Sequence, residues 1–240
     1  MKVLITGGTG RLGRELVKQF PESLHPTRQE LGIEVKAQVE NYISEKKPAV
    51  IIHTAAVTSV PFCEENRNEA YETNVGGTEK LINACLNHDS DCYFVLISTA
   101  CVFRGDVGNY VETDLPYPKN YYALTKLLAE CAVRYSGLKF LIIRSNFVAR
   151  EKWSYPKAFT DRYGTYLFAS DVASAVESIV QDKLTGIVHV CGDKKMSMFE
   201  LAKITTPSIE PMTLSEYHGV PLTVDMSLSS IRIEPFKMRR

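Results

Sequence analysis

The sequence predicts an α/β fold in which a doubly wound parallel sheet carries helices on both faces. Three observations support this prediction. Short apolar runs alternate with longer helix-forming stretches over the first two thirds of the chain, the runs are bounded by polar turns, and a glycine-rich turn joins the first run to the first stretch. Continuous apolar runs are typical of strands covered on both faces, so we expect a parallel sheet between two helical layers.

The predicted elements follow this alternation in chain order. The strands are Val3–Thr6, Leu24–Thr27, Val50–His53, Tyr93–Ser98 and Phe140–Arg144, and the helices are Arg11–Phe20, Val35–Lys46, Asn68–Asn87 and Tyr121–Tyr135. The pattern is less regular after residue 145, where we expect a helix over Asp171–Gln181, a strand over Ile187–Cys191 and a capped helix over Ser197–Ile204. We therefore divide the chain into a sheet domain, 1–145, and a small lobe, 146–240, that packs on it without a sharp boundary.

Composition excludes several classes of function. Hydrophobic residues make up 45% of the 240 residues, and Lys plus Arg equal Asp plus Glu at 28 each, so no net field favours binding to nucleic acid. No apolar run approaches the ~20 residues that span a bilayer, and Met1 leads directly into a strand without a signal-peptide pattern. The six cysteines show no metal-ligand spacing, which favours reduced thiols, a cytoplasmic location and no metal site.

The glycine-rich turn is the first candidate site. Gly7, Gly10 and Gly13 follow an apolar strand and open an amphipathic helix, which is the context of a dinucleotide-binding fingerprint in a Rossmann-type fold. The unpaired N–H groups of the first helical turn, which includes Leu12, would then face the pyrophosphate, and Arg11 in the same turn can add to the binding of a 2′-phosphate. An ordinary βα turn that needs glycine is the alternative.

Arg28 bears on the choice of cofactor. The end of the second predicted strand has no Asp or Glu to hold the 2′-hydroxyl of NAD, and Arg28 can pair with the 2′-phosphate of NADP instead. We therefore expect NADP(H), with NAD(H) as the second choice. An exposed arginine without a ligand fits the sequence equally well.

Tyr122 and Lys126 are four residues apart in a helix-forming segment, so their side chains share one helical face. An ammonium beside a phenol favours the phenolate, and we expect it to lower the pKa of Tyr122 from its ordinary value of about 10. Such a phenol can exchange a proton with a carbonyl oxygen.

Further candidates stand where other strands end, since ligands bind at that edge of a doubly wound sheet. Ala55 and Ala56 would let a flat nucleotide lie against the backbone, and Thr99 would hydrogen-bond a carbonyl oxygen. His53 is expected to face the core. Asn74, a poor helix former, is expected to hold neighbouring backbone.

Taken together, these motifs resemble the extended short-chain dehydrogenase/reductase superfamily. Within it, the segments 97–103 (ISTACVF) and 120–126 (NYYALTK) are most similar to dTDP-4-dehydrorhamnose reductases. The resemblance implies that Tyr122 protonates the C4 oxygen of a 4-keto sugar nucleotide, that Lys126 binds the nicotinamide ribose and that Thr99 stabilises the oxygen. It also implies a homodimer formed through the helices 68–87 and 121–135. The expected substrate contacts are Thr58, Ser98, Asn146 and Trp153.

Two features depart from the family. Ala100 and Cys101 stand where the family usually has Asp and Tyr, and the segment 148–165 is short for substrate loops. An epimerase or dehydratase of the same superfamily is one alternative, although no acidic pair follows Thr99. A non-catalytic regulatory subunit, similar to that of methionine adenosyltransferase, is another.

Overall fold

A computed structural model describes residues 2–88 and 91–239. Its central sheet has five parallel strands in the order β1-β2-β3-β4-β9. These strands are β1 (Val3–Thr6), β2 (Val50–His53), β3 (Tyr93–Thr99), β4 (Lys139–Ser145) and β9 (Gly186–Val190). Their side chains are almost entirely buried, as expected of strands covered on both faces.

Helices cover both faces of the sheet, which confirms the predicted fold class. The helices are α1 (Arg11–Gln19), α2 (Lys36–Lys46), α3 (Val60–Glu65), α4 (Arg67–Tyr71), α5 (Gly77–His88), α6 (Tyr121–Arg134), α7 (Ala169–Gln181) and α8 (Met198–Thr205). One hydrophobic core lies between the sheet and α1 with α7, and a second lies between the sheet and α2, α5 and α6. Burial of these apolar faces supplies most of the free energy that holds the layers together.

The chain reverses direction across the sheet beside β1. After α1 it forms one parallel bridge from Leu24 to Leu4 on one side of β1, and then α2 carries it to β2 on the other side. This is the topological switch point of a doubly wound sheet, where a crevice opens at the carboxyl ends of the strands.

Two predicted elements were wrong in extent. The strand predicted over Leu24–Thr27 is reduced to the bridge at Leu24, because Pro26 has no N–H and cannot continue a ladder. The helix predicted over Asn68–Asn87 is divided into α4, a π-helical turn over Glu72–Gly76 and α5. Helix α3 was not predicted; it follows the N-cap Ser59 and has Pro61 in its first turn.

The segment after residue 145 is divided between the sheet and the lobe. Strand β9 completes the central sheet beside β4, and α7 packs on α1. The short strands β5 (Phe147–Val148) and β8 (Leu167–Phe168) pair with each other, as do β6 (Lys157–Phe159) with β11 (Glu210–Met212) and β7 (Tyr163–Gly164) with β10 (Met196–Ser197). Ser197 caps α8 reciprocally with Glu200, as predicted. Within the described residues, no helix has the length and apolar character needed to cross a membrane.

Candidate active site

The glycine turn lies at the switch point. Its glycines allow the backbone of the turn to lie directly against the backbone after β2 and against the start of α1. Gly7 has φ +72°, and a Cβ there would come within 2.7 Å of Ala55 N and Thr54 Oγ1. A Cβ on Gly13 would collide with the Gly7 carbonyl, so α1 could not approach the turn so closely. Gly10 caps α1 without a side-chain hydrogen bond, which leaves the N–H groups of its first turn open to an anion. These residues fit the pyrophosphate of a dinucleotide.

The end of β2 is fixed against the end of β1. The Thr54 hydroxyl donates to the Thr6 carbonyl at 2.7 Å, and the Ala55 N–H donates to Thr6 Oγ1 at 3.4 Å. Ala55 and Ala56 remain partly exposed beside Gly7. The structure therefore brings the two alanines and the glycine turn together at one edge of the sheet.

Thr99 and Tyr122 also meet at this edge. Thr99 ends β3, its Oγ1 accepts from the Cys101 N–H at 3.1 Å, and its side chain lies beside the Tyr122 phenol. Tyr122 lies in the first turn of α6, which Asn120 caps by accepting from the Ala123 N–H. A carbonyl oxygen placed between these two hydroxyls would have two donors, which is the arrangement that stabilises a developing alkoxide.

The expected effect of Lys126 on Tyr122 is not found. Burial raises the pKa of Tyr122 well above its ordinary value, Cys101 adds to the rise, and only the neighbouring Thr99 hydroxyl opposes it. The physical reason is that the phenol is largely enclosed by protein, which disfavours the phenolate. Tyr122 is therefore a neutral phenol over the physiological pH range, able to donate a proton.

Lys126 is a buried lysine with an unused donor. Lys126 is 4% exposed, and its ammonium group makes no hydrogen bond or ion pair within the described residues. Burial lowers the pKa of Lys126 to about 8, and the charge of Glu130 partly offsets that fall. A buried ammonium without an acceptor suits a ligand that brings hydroxyl groups, such as the ribose of a dinucleotide.

His53, at the end of β2, is bound on both ring nitrogens by threonines of the interior. The Thr78 hydroxyl donates to the Asn74 carbonyl, so Thr78 accepts from His53 Nε2–H at 3.0 Å, and His53 Nδ1 accepts from Thr6 Oγ1 at 2.7 Å. Burial and the nearby Lys126 lower the pKa of His53 to about 3. His53 is therefore a neutral core residue, as expected.

Ser98 is placed in the interior by the structure. It is 4% exposed, and its hydroxyl donates to Glu130 Oε1. Arg144 holds the same carboxylate through Nε at 3.0 Å and Nη2 at 2.6 Å, and both charged side chains are 1% exposed. The Ser98 hydroxyl thus has an internal acceptor, and a contact between Ser98 and substrate stays a prediction.

The two arginines expected near the cofactor lie on the surface. Arg28 pairs with Glu34 at 2.9 Å, and Glu34 also accepts from Thr73 Oγ1 at 3.1 Å. Arg11 is exposed in the first turn of α1 and makes no hydrogen bond or ion pair within the described residues. Beside the turn itself lies His25, whose Cβ would be 3.0 Å from a Cβ on Gly8.

The other expected substrate contacts are dispersed. Thr58 is exposed in the loop after β2, and the Asn146 side chain donates to the Met226 carbonyl at 2.7 Å in the interior. Trp153 packs within the lobe, where its Nε1 donates to the Lys157 carbonyl at 3.2 Å. Asn146 and Trp153 thus have structural partners, and neither is brought to the Thr99–Tyr122 pair by these contacts.

Cys101 occupies the position next to this pair. Its thiol is partly exposed and contacts the Met226 sulfur at 3.9 Å, while Ala100 is fully buried. Nearby, the Tyr166 hydroxyl is buried and has no hydrogen-bond partner among the residues that the structure describes, which the sequence did not predict. Glu130 was also missed. The signal for it was available, since Lys126 and Glu130 are charged residues at apolar-face positions of a predicted helix.

Comparisons with known proteins agree with this geometry. Residues 1–217 match the family model of the RmlD substrate binding domain. A dTDP-4-dehydrorhamnose reductase of Aggregatibacter actinomycetemcomitans is 30% identical over 84% of this chain and 76% of its own length. Methionine adenosyltransferase 2 subunit beta of Rattus norvegicus is 25% identical over 97% of this chain and 81% of its own. The solved dTDP-4-dehydrorhamnose reductase of Bacillus anthracis, in complex with NADP, has 25% identity and a TM-score of 0.87, covering 95% of this chain and 90% of that one.

Proposed function

Because the chain belongs to the RmlD substrate binding domain family, we propose that it is an NADPH-dependent reductase of a nucleotide-linked 4-keto-6-deoxy sugar. The substrate of its reductase relatives, dTDP-4-dehydrorhamnose, is the first to test. The observation that carries the proposal is the neighbouring pair of side chains of Thr99 and Tyr122, together with the buried Lys126 one helical turn after Tyr122, at the same sheet edge as the glycine turn.

The residues of the chain account for the proton and charge steps of such a reduction. The hydride comes from NADPH when it is bound at the glycine turn. Tyr122, held as a neutral phenol, donates its proton to the sugar oxygen as negative charge develops there, and the Thr99 hydroxyl donates a second hydrogen bond to that oxygen. Lys126 supplies positive charge and donors for ribose hydroxyls.

The test is consumption of NADPH by the purified protein with a panel of 4-keto-6-deoxy sugar nucleotides. Tyr122→Phe removes the proton donor and should lower turnover by about 10²- to 10⁴-fold, while the affinity for NADPH stays within a few-fold. The adjacent Tyr121→Phe is the matched control, because the ring of Tyr121 packs under Arg67 and its phenol is not needed for the reaction.

A second candidate function is favoured by one specific feature. Ala100 and Cys101 occupy the two positions after Thr99 where the reductases usually have Asp and Tyr, so a carboxylate and a phenol are absent there. The chain is also similar over most of its length to methionine adenosyltransferase 2 subunit beta. If the wild-type protein binds NADPH but consumes it no faster than background with every sugar nucleotide tested, a non-catalytic role of this kind is favoured.

A further inference from the structure

Glu130 joins the helix that carries Tyr122 and Lys126 to β3, which ends at Thr99, and to the neighbouring strand β4. It follows Lys126 by one turn of α6, and its carboxylate accepts from Ser98 on β3 and from Arg144 on β4. We propose that Glu130 is a positioning residue of the reductase: by binding Ser98 and Arg144 together, it fixes Tyr122 and Lys126 against Thr99. This inference rests on the proposed function and assigns a new part to that site.

The geometry of the three elements supports this role. Ser98 immediately precedes Thr99, and Ser98 lies directly opposite Arg144 in the register of β3 and β4. Arg144 binds both carboxylate oxygens, with Nε at 3.0 Å from Oε1 and Nη2 at 2.6 Å from Oε2. A bidentate pair of this kind fixes orientation as well as distance. A shift of α6 along the sheet would therefore break contacts to both strands at once.

The position of Glu130 has an electrostatic consequence as well. Within the described residues, Glu130 is the one acid whose charge raises the pKa of Lys126. Arg144, which pairs with Glu130, is a second buried cation beside the same carboxylate. Other titratable groups near Lys126 are His53 from β2, which is neutral, and Tyr122 from its own helix, which is also neutral. Loss of the Glu130 charge would leave two buried cations uncompensated, and Lys126 would release its proton at a lower pH.

Two substitutions of Glu130 separate its geometry from its charge. Glu130→Gln keeps the length and the acceptor oxygen but loses the charge. We expect the basic limb of the pH profile of kcat to move down by about one to two pH units. Glu130→Asp keeps the charge but is too short to reach both strands, so we expect kcat to fall about 10- to 100-fold with little change in KM. Asp171→Asn is the control, a substitution at a buried carboxylate whose residue is 5% exposed and which lies on α7, on the opposite face of the sheet.

A second measurement does not depend on turnover. The titration of Lys126 can be followed by NMR of ¹³C-labelled lysine in the cofactor-free protein, with the signal assigned by Lys126→Met. We expect Glu130→Gln to lower the pKa of Lys126 and Asp171→Asn to leave it unchanged. If the wild-type protein shows no turnover but this shift is found, the proposed function fails while the effect of Glu130 on Lys126 stands.

The inference is overturned if Glu130→Gln folds and leaves both the basic limb and the Lys126 titration in place, or if Glu130→Asp keeps full kcat. Should neither Glu130 variant fold, Ser98→Ala decides the question, because it removes one hydroxyl and preserves the ion pair with Arg144. A fall in kcat of about tenfold without a change in KM would then support the positioning role. A kcat within twofold of wild type would refute it.

Discussion

Asn74 holds both backbone groups of Val57. Its Oδ1 accepts from the Val57 N–H at 2.8 Å, and its Nδ2 donates to the Val57 carbonyl at 3.0 Å. The same Nδ2 donates to Thr125 Oγ1 at 2.9 Å, so one amide ties the loop after β2 to α6 between Tyr122 and Lys126. Asn74 lies in the π-helical turn, which directs its side chain into this gap.

Asn74→Ala should therefore disturb the site as well as the fold. It would leave three polar groups without their partner, and we expect a loss of about 1–3 kcal/mol in the free energy of unfolding together with a lower kcat. Urea denaturation and steady-state kinetics measure the two effects. Asn87→Ala, an exposed asparagine at the end of α5, should change the free energy of unfolding by less than about 0.5 kcal/mol. Equal effects of the two substitutions would contradict the assignment.

Arg28 should decide the preference between cofactors. Arg28→Ala removes the cation that would pair with the 2′-phosphate of NADPH. We expect the binding free energy of NADPH to weaken by about 1.5–3 kcal/mol and that of NADH to stay unchanged. Glu34→Gln releases Arg28 from its ion pair and should act in the opposite direction. Titration of each cofactor by fluorescence measures these changes. The control is Arg67→Ala, which breaks a comparable surface pair with Glu64; equal losses for NADPH and NADH in Arg28→Ala would refute the assignment.

Lys126 should reduce the stability of the cofactor-free protein. Its pKa is about 8 in the folded protein, against an ordinary value of 10.5, so below pH 8 the folded protein holds a buried charge that the unfolded chain holds in water. From pH 8 to above 10 the unfolded chain binds more protons than the folded one, and the penalty disappears as the pH rises. Lys126→Met should therefore raise the free energy of unfolding by about 3 kcal/mol at pH 7 and by much less above pH 10.

Denaturant unfolding at both pH values tests this expectation, with Lys203→Met, an exposed lysine on α8, as the control. Turnover should be lost in Lys126→Met even though the protein is more stable. A gain that is the same at both pH values would show that packing, and not the charge, is responsible.

The outer face of α6 leads us to propose a homodimer. Leu124 and Leu128, four residues apart on one side of the helix, are each 37% exposed, and Tyr135, the C-cap residue, is 81% exposed. Leu128→Glu should then convert a dimer into a monomer in analytical ultracentrifugation, because a buried unpaired charge would oppose association. Leu115→Glu, at an 89% exposed leucine away from the helix, should leave the oligomeric state unchanged. A monomeric wild-type protein would exclude the dimer.

The fold was predictable wherever burial or glycine determines local structure. Strands β1 and β2 agree with the sequence to the residue, because each apolar run ends abruptly at a polar turn. The break between α4 and α5 was not predictable, since a π-helical turn depends on the tertiary hydrogen bonds of Asn74 and not on helix propensity.

The site was predictable in part for a related reason. Thr99 and Tyr122 were found because strand ends and helical spacing place such residues at one sheet edge. Ser98, Asn146 and Trp153 are expected at the substrate, and the sequence did not reveal that their side chains donate to Glu130, the Met226 carbonyl and the Lys157 carbonyl. Those partners are 32 residues away for Ser98 and 80 for Asn146, and no local pattern reveals which distant group will satisfy a hydroxyl or amide.

The place of β9 bears on how the chain is synthesised. In a nascent chain that has emerged only as far as β4, the backbone groups on the outer edge of β4 have no strand to pair with. Their partner, β9, follows only after α7. Until the ribosome has delivered that segment, an apolar edge is available to other chains. Pausing or truncation in this interval should thus lead to aggregates sooner than to a smaller folded protein.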